Sequence, residues 1–354
     1  MLEVVHIINA LPKIGGAERL ILDMARAHKP WHMRVITWFS PDIGLCSQDS
    51  EDALEVLALR PVTFAKLRQA KRWILEADLL HVHLFPSIYL ALFLPGPKLY
   101  TEHNTWNRRR AHRSLRFLER LVYRRYDCVV AISQAVRSAL IDWLSPSSVP
   151  VSVIDNGITL DRFPNVQRVL QQDLDTIAVG MAGSFSDQKH QELLVRVLTH
   201  LPDRVCLVFA GDGPRKAQVE TLARTLGVAE RVTFLGNIDD MPSYYRGIDI
   251  YIQSSHWEGF GLTVVEAMAS GLPCLASDVP GLAEVVGDRA KLFSNDDARG
   301  LSAIIKSLIE SPCQYKDWSL YSIERSKHYS IGRMVTAYGE LYDTILAGQT
   351  LSGR

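Results

Sequence analysis

Two glutamates eight positions apart bracket the segment EGFGLTVVE, which runs from Glu258 to Glu266. The apolar run DIYIQSS before it predicts a strand, and LTVVEAMAS within and after it predicts a helix. Gly259 and Gly261 let the backbone between them approach a ligand closely. The free N–H groups at a helix start favour an anion such as phosphate, and flanking carboxylates accept hydrogen bonds from hydroxyls. A nucleotide-sugar offers hydroxyls on both sides of its diphosphate.

The expected positions of the two acids help to distinguish a binding site from a purely structural segment. We expect Glu266 in the first helical turn and Glu258 on the opposite rim of the loop. The helix dipole alone favours an acid in a first turn by roughly 0.3 to 1 kcal/mol, so Glu266 by itself is typical of a structural residue. The pair and the glycines together favour a binding site.

The whole chain limits the possible classes of protein. Its 354 residues suit two domains, since single cores stop growing at roughly 250 to 300 residues. Apolar residues make up 47% and charged residues 22%, which excludes a disordered chain. The five cysteines never form CxxC, which favours a reducing compartment over disulfides or a zinc site. The N-terminus lacks the basic segment of a signal peptide, so we expect a cytoplasmic protein.

Positive charge is concentrated in the first half of the chain. Residues 1–162 carry 21 Lys and Arg against 16 Asp and Glu, while the remainder carries 18 against 23. Eight arginines lie in residues 106–127, a stretch predicted to be helical that suits an anionic membrane surface. A solvated helix explains it equally well, and no nucleic-acid motif accompanies it. The candidates for a membrane or acceptor face are Arg108, Arg109, Arg110, Arg113 and Arg116.

Short apolar runs alternate with amphipathic stretches along the chain, which predicts an α/β fold with parallel sheets. The alternation breaks at 164–176 and then restarts. We therefore predict two doubly wound, Rossmann-like domains at 1–163 and 177–332, with a final helix at 333–348 packing back on the first. Ligands of such sheets bind beyond the carboxyl ends of the strands, so two facing sheets imply an interdomain cleft.

The segment SSHWEGFGLTVVEAMASGLPCLASDVPGLAEVV resembles the glutamate-x7-glutamate region of the retaining GT-B glycosyltransferases of family 4. Further landmarks of that family occur in order over nearly the whole chain. They are IGGAE (14–18), HVH (81–83), TEHN (101–104), AIS (131–133), VIDNGI (153–158), GDGP (211–214) and VTFLG (232–236). Each is weak alone, and together they are specific.

The resemblance implies roles for individual residues. Glu266 matches the glutamate that holds the donor ribose, Glu258 the one beside the donor sugar, and Lys189 the lysine that neutralises the diphosphate. His103 matches the histidine near the reacting centre, and its neighbours Glu102 and Asn104 are expected to orient the ring or line the acceptor site. The implied catalytic residues are thus His103, Glu258 and Lys189. The implied donor site comprises Gly15, Gly16, Ser184, Lys189, Asn237, Glu258, Phe260, Gly261, Leu262, Thr263 and Glu266.

One departure from the family pattern concerns phosphate binding. Members commonly carry an arginine five residues before the lysine, where this chain has Ser184. A second cation is then missing or comes from elsewhere, for example Arg215 or an arginine of the first domain. The resemblance implies retention of configuration without a metal: the diphosphate leaves, and the acceptor attacks from the same face with help from the departing phosphate. The DxD at Asp173 and Asp175 lies in the linker and indicates solvated charge, not a metal site.

The sequence thus predicts a retaining transferase that moves a hexose or N-acetylhexosamine from a nucleotide-diphosphate sugar, with UDP favoured, without cofactor or metal. We expect a glycan acceptor, lipid-linked, in surface polysaccharide or lipopolysaccharide biosynthesis, and a peripheral location at the inner face of the membrane. Two alternatives remain. A sugar-nucleotide 2-epimerase would need no acceptor, although the glutamate pair and the glycines at positions 15 and 16 disfavour it. A catalytically silent nucleotide-sugar-binding partner would agree with Ser184.

Overall fold

The computed structural model describes residues 1–11, 15–39, 54–145, 149–163, 167–170 and 176–349, apart from the side chain of Arg108. The chain divides into two units: residues 1–157 with 331–354 form the first, and residues 158–330 form the second. Each unit is built on a parallel sheet with helical crossovers. The predicted α/β class with two Rossmann-like domains is confirmed. None of the helices in the described ranges has the length and apolar character needed to span a bilayer.

The first unit contains a seven-stranded parallel sheet in the order β3-β2-β1-β4-β5-β6-β7. Its strands are β1 (Leu2–Ile8), β2 (Trp31–Thr37), β3 (Glu55–Ala58), β4 (Leu79–His83), β5 (Lys98–Glu102), β6 (Cys128–Ala131) and β7 (Val151–Val153). Its first five helices are α1 (Gly16–Arg26), α2 (Phe64–Glu76), α3 (Ser87–Leu90), α4 (Leu115–Tyr123) and α5 (Gln134–Leu144). The strand order reverses between β1 and β4, the place where α/β sheets bind ligands.

Strand β1 separates two apolar cores of the first unit. Val4 and Ile8 face one core, and Val5 and Ile7 face the other, as the alternation of side chains along a strand requires. Strands β4 and β6 are buried at every position because helices cover both faces of the sheet. The sequence CVVA of β6 is apolar throughout, whereas LLHVH of β4 also buries His81 and His83.

The second unit contains a six-stranded parallel sheet in the order β10-β9-β8-β11-β12-β13. Its strands are β8 (Ile177–Ala182), β9 (Val205–Ala210), β10 (Val232–Phe234), β11 (Ile250–Gln253), β12 (Cys274–Ser277) and β13 (Leu292–Phe293). Its helices are α6 (Gln191–Leu198), α7 (Lys216–Thr225), α8 (Met241–Arg246), α9 (Leu262–Ala269), α10 (Pro280–Val286), α11 (Ala298–Glu310) and α12 (Pro312–Ser326). The order reverses between β8 and β11, so this sheet has its own switch point.

The last helix, α13 (Ile331–Leu346), returns to the first unit. Its apolar face packs Met334, Tyr338 and Tyr342 into the core that contains Trp31. Two tyrosine hydroxyls of this face reach the sheet: Tyr342 lies 2.7 Å from a ring nitrogen of His81, and Tyr338 lies 3.2 Å from the hydroxyl of Thr101. The chain therefore leaves the first unit, builds the second and comes back.

The arginine-rich stretch differs from its prediction. It does not form one helix: a 3₁₀ turn at Arg108–Ala111 comes first, and α4 starts only at Leu115. The side chain of Asn107 accepts hydrogen bonds from two successive amide groups and so caps the short turn, and His112 has an extended backbone that ends it. Strand β3 was not predicted, because its four residues, EVLA, are too few for a periodicity signal.

The described part of the predicted linker is held by Arg168. Its guanidinium donates to the backbone oxygens of Tyr245 at 2.6 Å, Ile248 at 2.8 Å and Ser270 at 3.3 Å. Tyr245 is in α8, and Ser270 directly follows α9. The last carbonyl oxygens of a helix receive no hydrogen bond from N–H groups of the same helix. Arg168 therefore stabilises the ends of two helices. The remaining linker residues, with Asp173 and Asp175, lie outside the described residues.

Replacing Arg168 should destabilise the second unit. Arg168→Met keeps the apolar stem and removes the donors, leaving part-buried carbonyls without partners, a change that typically costs about 1 to 3 kcal/mol. We expect a loss of about 2 kcal/mol in the free energy of unfolding, measured by urea denaturation. Arg299→Met, at an exposed position of α11, is the matched control. An equal effect of the two substitutions would contradict the role of Arg168.

Candidate functional site

The glycine-containing loop follows β11 at its carboxyl end and leads into α9. Gly261 is the N-cap of this helix and has a φ of 101°, a conformation that side chains disfavour. A Cβ there would lie 2.6 Å from Cδ2 of Leu282. Gly261 is therefore required both by the turn and by the packing of the loop.

A second glycine, which sequence reasoning missed, lets α10 approach the same loop. A Cβ on Gly281 would lie 2.4 Å from the backbone oxygen of Glu258 and 2.9 Å from the backbone carbon of Gly259. Helix α10 thus packs directly against the backbone of the loop at Glu258 and Gly259. The dipeptide Pro280-Gly281 at a helix start is the sequence signal that could have pointed to this contact.

The structure brings Glu258 and Lys189 together, although 68 residues separate them in sequence. The Lys189 ammonium lies 2.5 Å from a carboxylate oxygen of Glu258, with side chains 14% and 13% exposed. Gln188 donates to the other carboxylate oxygen at 3.3 Å and to the backbone oxygen of Trp257 at 2.9 Å. The two charges offset each other, and the loop after β8 is tied to the loop after β11.

Glu266 lies in the second turn of α9, not in the first as predicted. It is the fifth helical residue, because the helix begins only at Leu262 and one turn takes 3.6 residues. The helix dipole acts mainly on the first turn and so does not account for this acid. Glu266 is only 6% exposed, and the hydroxyl of Tyr245 donates to it at 2.9 Å. Burial, with the nearby Glu266 charge, holds the pKa of Tyr245 well above its usual value.

The remaining predicted donor residues of the second unit lie around the same strand ends. Phe260 is buried and packs edge-on against Tyr329, with ring centres 5.2 Å apart. Leu262 and Thr263 are the first two residues of α9, and the Thr263 hydroxyl donates to the side-chain oxygen of Gln253 at 3.2 Å. Asn237 is exposed beyond β10. Three of these residues thus lie at the start of α9, and the fourth lies just after β10.

Ser184 is exposed, and its hydroxyl lies 3.4 Å from that of Ser186. Arg215, which we considered as a substitute cation, already forms ion pairs with two acids. It contacts Asp187, and it lies 2.8 Å from Glu192. Two carboxylates therefore offset its charge in the structure.

In the first unit, Gly15 is the N-cap of α1 and Gly16 is the first helical residue. The carboxylate of Glu18 folds back over Gly15, so close that a Cβ on Gly15 would overlap it. Burial raises the pKa of Glu18 above its usual value. Ile14, which begins the IGGAE landmark, lies outside the described residues.

His103 follows β5 and lies beside His83, whose Nδ1 is 3.4 Å from Nε2 of His103. Burial lowers the pKa of His103 to about 4. Glu102 does not orient this ring, contrary to expectation, because neighbouring strand residues point to opposite faces. Its carboxylate accepts instead from the hydroxyl of Tyr123 at 2.7 Å and from Arg110 at 3.3 Å.

Three more histidines form a buried cluster behind His103. His6 is paired with His81 in register across β1 and β4, and Nδ1 of His6 lies 3.1 Å from Nε2 of His83. His6, His81 and His83 lie close enough together to be considered as metal ligands. Both ring nitrogens of His81 are occupied, by Tyr342 and Thr101 at 2.7 Å each, and the facing nitrogens of His6 and His83 lie at hydrogen-bond distance from each other. The contacts therefore fit a hydrogen-bonded cluster better than a ligand set.

Most of the predicted membrane-facing arginines point inward. Arg109 lies 2.9 Å from the buried Glu119, Arg110 pairs with Glu102, and Arg116 donates at 2.7 Å to the backbone oxygens of Trp143 and Asp142 near the end of α5. Arg113 is exposed, and nothing is described for the Arg108 side chain. The outer face of α4 instead carries large apolar residues, with exposed fractions of 69%, 50% and 46%: Phe117, Leu118 and Leu121.

The buried histidines predict a stability that falls on acidification. Burial lowers the pKa of His6 to about 3 and of His103 to about 4, and those of His81 and His83 lie well below 6.5. In the unfolded chain each titrates near 6.5. Between these values the unfolded state binds more protons, so the free energy of unfolding rises with pH there and is lost as pH falls.

We expect each of these histidines to contribute about 1.4 kcal/mol per pH unit near pH 5, measured by urea unfolding across a pH series. His6→Phe should reduce the slope by about one proton. The exposed His200 provides a control, since His200→Gln should leave the slope unchanged. A stability that stays flat or rises as the pH falls from about 6.5 to about 5 would contradict neutral burial of the cluster.

Two family models match consecutive parts of the chain. Residues 14–162 match "Glycosyltransferase Family 4", and residues 163–325 match "Glycosyl transferases group 1". The boundary between the two matches lies close to the passage from the first unit to the second. Together they span nearly the whole chain.

Curated relatives and solved structures point the same way. The lipopolysaccharide core biosynthesis mannosyltransferase LpsB of Rhizobium meliloti is 27% identical over 246 residues, 64% of this chain and 68% of the relative. The putative glycosyltransferase EpsF of Bacillus subtilis is 34% identical over 138 residues, 36% of each chain. The structure of Anabaena Alr3699/HepE with UDP and glucose has a TM-score of 0.83 at 20% identity, covering 97% of this chain and 100% of that one. At that identity the structural match shows the fold, which is GT-B.

Proposed function

We propose that this chain, which belongs to the family 4, group 1 glycosyltransferases, transfers a hexose or N-acetylhexosamine from a nucleotide-diphosphate sugar to a glycan acceptor with retention of configuration. The observation that carries the proposal is the set of acids around the loop before α9. One buried glutamate, Glu266, is held by Tyr245, and a second, Glu258, is paired with Lys189. Both adjoin the start of a helix at a switch point of the sheet.

Glu266 suits a ribose. A carboxylate accepts about four hydrogen bonds, and Tyr245 supplies one of them at 2.9 Å. The two neighbouring hydroxyls of a ribose can fill further acceptor positions. Tyr245 is fully buried, and its hydroxyl, whose one proton points to Glu266, also lies 3.1 Å from the backbone oxygen of Thr263, so it holds the carboxylate near the first turn of α9.

Lys189 suits the diphosphate. In the structure its charge is offset by Glu258, so a diphosphate competes with Glu258 for the same ammonium. Once Lys189 turns to the phosphates, the Glu258 carboxylate is released to accept a hydrogen bond from a hydroxyl of the donor sugar. We do not assign Glu258 as a covalent nucleophile. Ser184 stands in place of the second cation, and Arg215 is paired with Asp187 and Glu192, so the proposal relies on Lys189 for the phosphate charge.

The reaction follows from this arrangement. As the diphosphate leaves, negative charge develops on it and positive charge on the sugar ring, and the acceptor hydroxyl attacks from the face of the departing phosphate. The protein contributes fixed dipoles and one ammonium at the place where negative charge develops, a contribution that is usually large. No metal is part of this proposal. UDP as the nucleotide of the donor is supported by the HepE complexes with UDP and UDP-glucose. A hexose as the transferred sugar is supported by the name of the LpsB relative, a mannosyltransferase.

Donor binding tests the proposal without knowledge of the acceptor. UDP, GDP, ADP and their common sugar conjugates are added in EDTA, and thermal unfolding is followed. A ligand at 100 times its dissociation constant contributes about 2.7 kcal/mol, which is readily seen. Glu266→Gln keeps the shape but loses the charge, and hydrogen bonds to charged groups contribute about 1.5 to 3 kcal/mol. We therefore expect about tenfold to hundredfold weaker binding.

Glu310→Gln, at an exposed position of α11, is the control and should bind donor normally. Equal affinity of wild type and Glu266→Gln would remove the ribose assignment. Conversion of a UDP-N-acetylhexosamine without acceptor would favour the 2-epimerase. Binding without turnover on any acceptor would favour the silent partner, and no shift with any nucleotide would reject a donor site altogether.

The acceptor and the membrane form the second part of the proposal. We infer that α4 brings the first unit to an anionic membrane surface and so to a lipid-linked acceptor. Its outer face exposes Phe117, Leu118 and Leu121, and the cations around them are Arg113, Arg124 and Arg125, all exposed. Exposed large apolar side chains rimmed by cations are typical of a helix that lies in a membrane interface.

Vesicle binding tests this face. The double variant Phe117→Ser, Leu121→Ser should sediment at least tenfold less with vesicles of phosphatidylglycerol and phosphatidylethanolamine, since fully burying each such side chain contributes about 1.5 to 3 kcal/mol. Arg113→Glu should make the remaining binding weaker at low salt. Substitution of Arg109 or Arg116 is unsuited to this purpose, because both make interior contacts.

Leu320→Ser, at an exposed apolar position of the second unit, is the matched control. Unchanged binding of the α4 double variant, with its fold intact by circular dichroism, would contradict the membrane role of this helix. Loss of binding by the control alone would assign the contact to the second unit instead.

A further inference from the structure

We propose that His83, with His6 behind it, is a positioning residue that holds the His103 imidazole in a single tautomer, with its proton on Nδ1. The hydrogen-bonded chain itself is independent of function. Its consequence for turnover rests on the proposed transferase activity, in which His103 lies near the reacting centre. Nothing in the family landmarks assigns a role to His83 or His6.

The sheet register builds the chain of rings. His81 and His83 are two residues apart on β4 and share a face, as do Thr101 and His103 across the end of β5. Strand β1 pairs with β4 so that His6 lies opposite His81, and His83 lies opposite Thr101 on β5. Three neighbouring strands thus supply His6, His83 and His103 in that order across one face.

The contacts between these rings are edge to edge. Nδ1 of His6 lies 3.1 Å from Nε2 of His83, with ring centres 5.3 Å apart and planes 10° from parallel. Nδ1 of His83 lies 3.4 Å from Nε2 of His103, with ring centres 5.7 Å apart. In both pairs the centres are farther apart than the nitrogens by about two ring radii, so the nitrogens face each other along the ring edges.

Such a chain couples the tautomers. A neutral imidazole has one N–H donor and one acceptor nitrogen, and each contact needs one of each. If Nδ1 of His6 donates to His83, then Nδ1 of His83 donates to His103, and His103 must keep its own proton on Nδ1. In the opposite arrangement every proton lies on Nε2. The three rings therefore have two joint states and no mixed state without a broken hydrogen bond.

The inner end of the chain selects between these two states. Nε2 of His6 is buried and has no hydrogen-bond partner among the described residues. In one state this atom is a bare acceptor, and in the other it is an N–H without an acceptor. Buried N–H groups without partners are the rarer and more costly case. The favoured state therefore sends each proton outward, so that Nε2 of His103 accepts and Nδ1 of His103 remains a donor for a ligand.

The surroundings keep all of these rings neutral. His6 and His83 are no more than 1% exposed, and no carboxylate contacts them among the described hydrogen bonds. The charged group that acts on His6 is Lys29, which opposes protonation. Burial and the neighbouring histidines oppose it for His81 and His83, and burial opposes it for His103. A neutral His103 with a fixed N–H orients an oxygen of the substrate and is not a charged acid.

Tautomers can be read directly from the ¹⁵N shifts and two-bond ¹⁵N–¹H couplings of histidine-labelled protein. In the wild type at neutral pH we expect His103 as the Nδ1–H tautomer. His83→Phe removes the donor to Nε2, so His103 should move toward the Nε2–H tautomer that free imidazole prefers. With donor and acceptor supplied, turnover should fall at least about tenfold, the effect expected of one lost oriented group, while the KM for the donor stays within about threefold.

His83→Asn is the conservative variant, since its amide group can occupy the place of Nδ1 and still donate to His103. It should keep the Nδ1–H tautomer and recover much of the turnover lost in His83→Phe. His81→Asn is the matched control, because His81 lies in the same cluster but bonds to Tyr342 and Thr101. It should lower stability without changing the tautomer of His103.

Two results would overturn the inference: an Nε2–H or charged His103 in the wild type at neutral pH, or an unchanged tautomer in a folded His83→Phe. Should His83→Phe fail to fold, the wild-type and His83→Asn spectra still decide. A chain with the expected tautomers but no sugar transfer on any acceptor would refute the proposed function and leave the positioning role intact. Sugar transfer by the wild type, together with an unchanged His103 tautomer in folded His83→Phe, would support the proposed function and refute the positioning role.

Discussion

Parallel pairing of neighbouring strands is the interaction on which both candidate sites depend. It brings the carboxyl ends of β1, β4 and β5 to one edge, where the histidines meet, and those of β8 and β11 to another, where Lys189 meets Glu258. A shift of one residue in the β1–β4 register would turn His6 to the opposite face and break the chain to His103. The strand registers therefore position the side chains of both candidate sites, as the loops do.

Among the described residues, buried charges are almost all paired, and this bears on the proposed donor site. Arg109 pairs with Glu119 and Arg110 with Glu102, pairs that would leave an uncompensated buried charge if either partner were removed. The histidine cluster avoids the same cost by remaining neutral. The pair of Lys189 and Glu258 differs, because both side chains keep some exposure and adjoin a helix start. In the proposed function an incoming diphosphate takes over the Lys189 ammonium, and the released Glu258 carboxylate keeps enough exposure to accept hydrogen bonds from a sugar hydroxyl or water.

The sequence predicted the parallel sheets because buried strands carry a strong local signal: continuous apolar runs such as CVVA in β6. It singled out Glu258 and Glu266 as candidate donor residues because a recognisable spacing surrounds them, and the structure places both beside the start of α9. It did not predict the contacts between distant segments. Nothing local indicates that Arg168 would cap α8 or that Gly281 would fit against the loop, since each depends on how separate elements pack. The turn assigned to Glu266 was wrong for a smaller reason: the helix starts at Leu262, as the run LTVVEAMAS predicts, and its fifth residue lies beyond the 3.6 residues of one turn.

Helix α4 shows why composition alone misjudged a surface. The sequence placed arginines outside, as hydration of a charged group would suggest. Arg109 and Arg116 point inward instead. Arg109 pairs with the buried Glu119, and Arg116 donates to backbone carbonyl oxygens at the end of α5. Arginine suits both places because it presents several donors in a fixed planar arrangement. On α4 itself, with Arg116 turned inward, the helical period leaves Phe117 and Leu121 exposed. An apolar surface of this kind is costly in water, so the contacts that stabilise the first unit also leave it with the exposed face on which the proposed membrane contact rests.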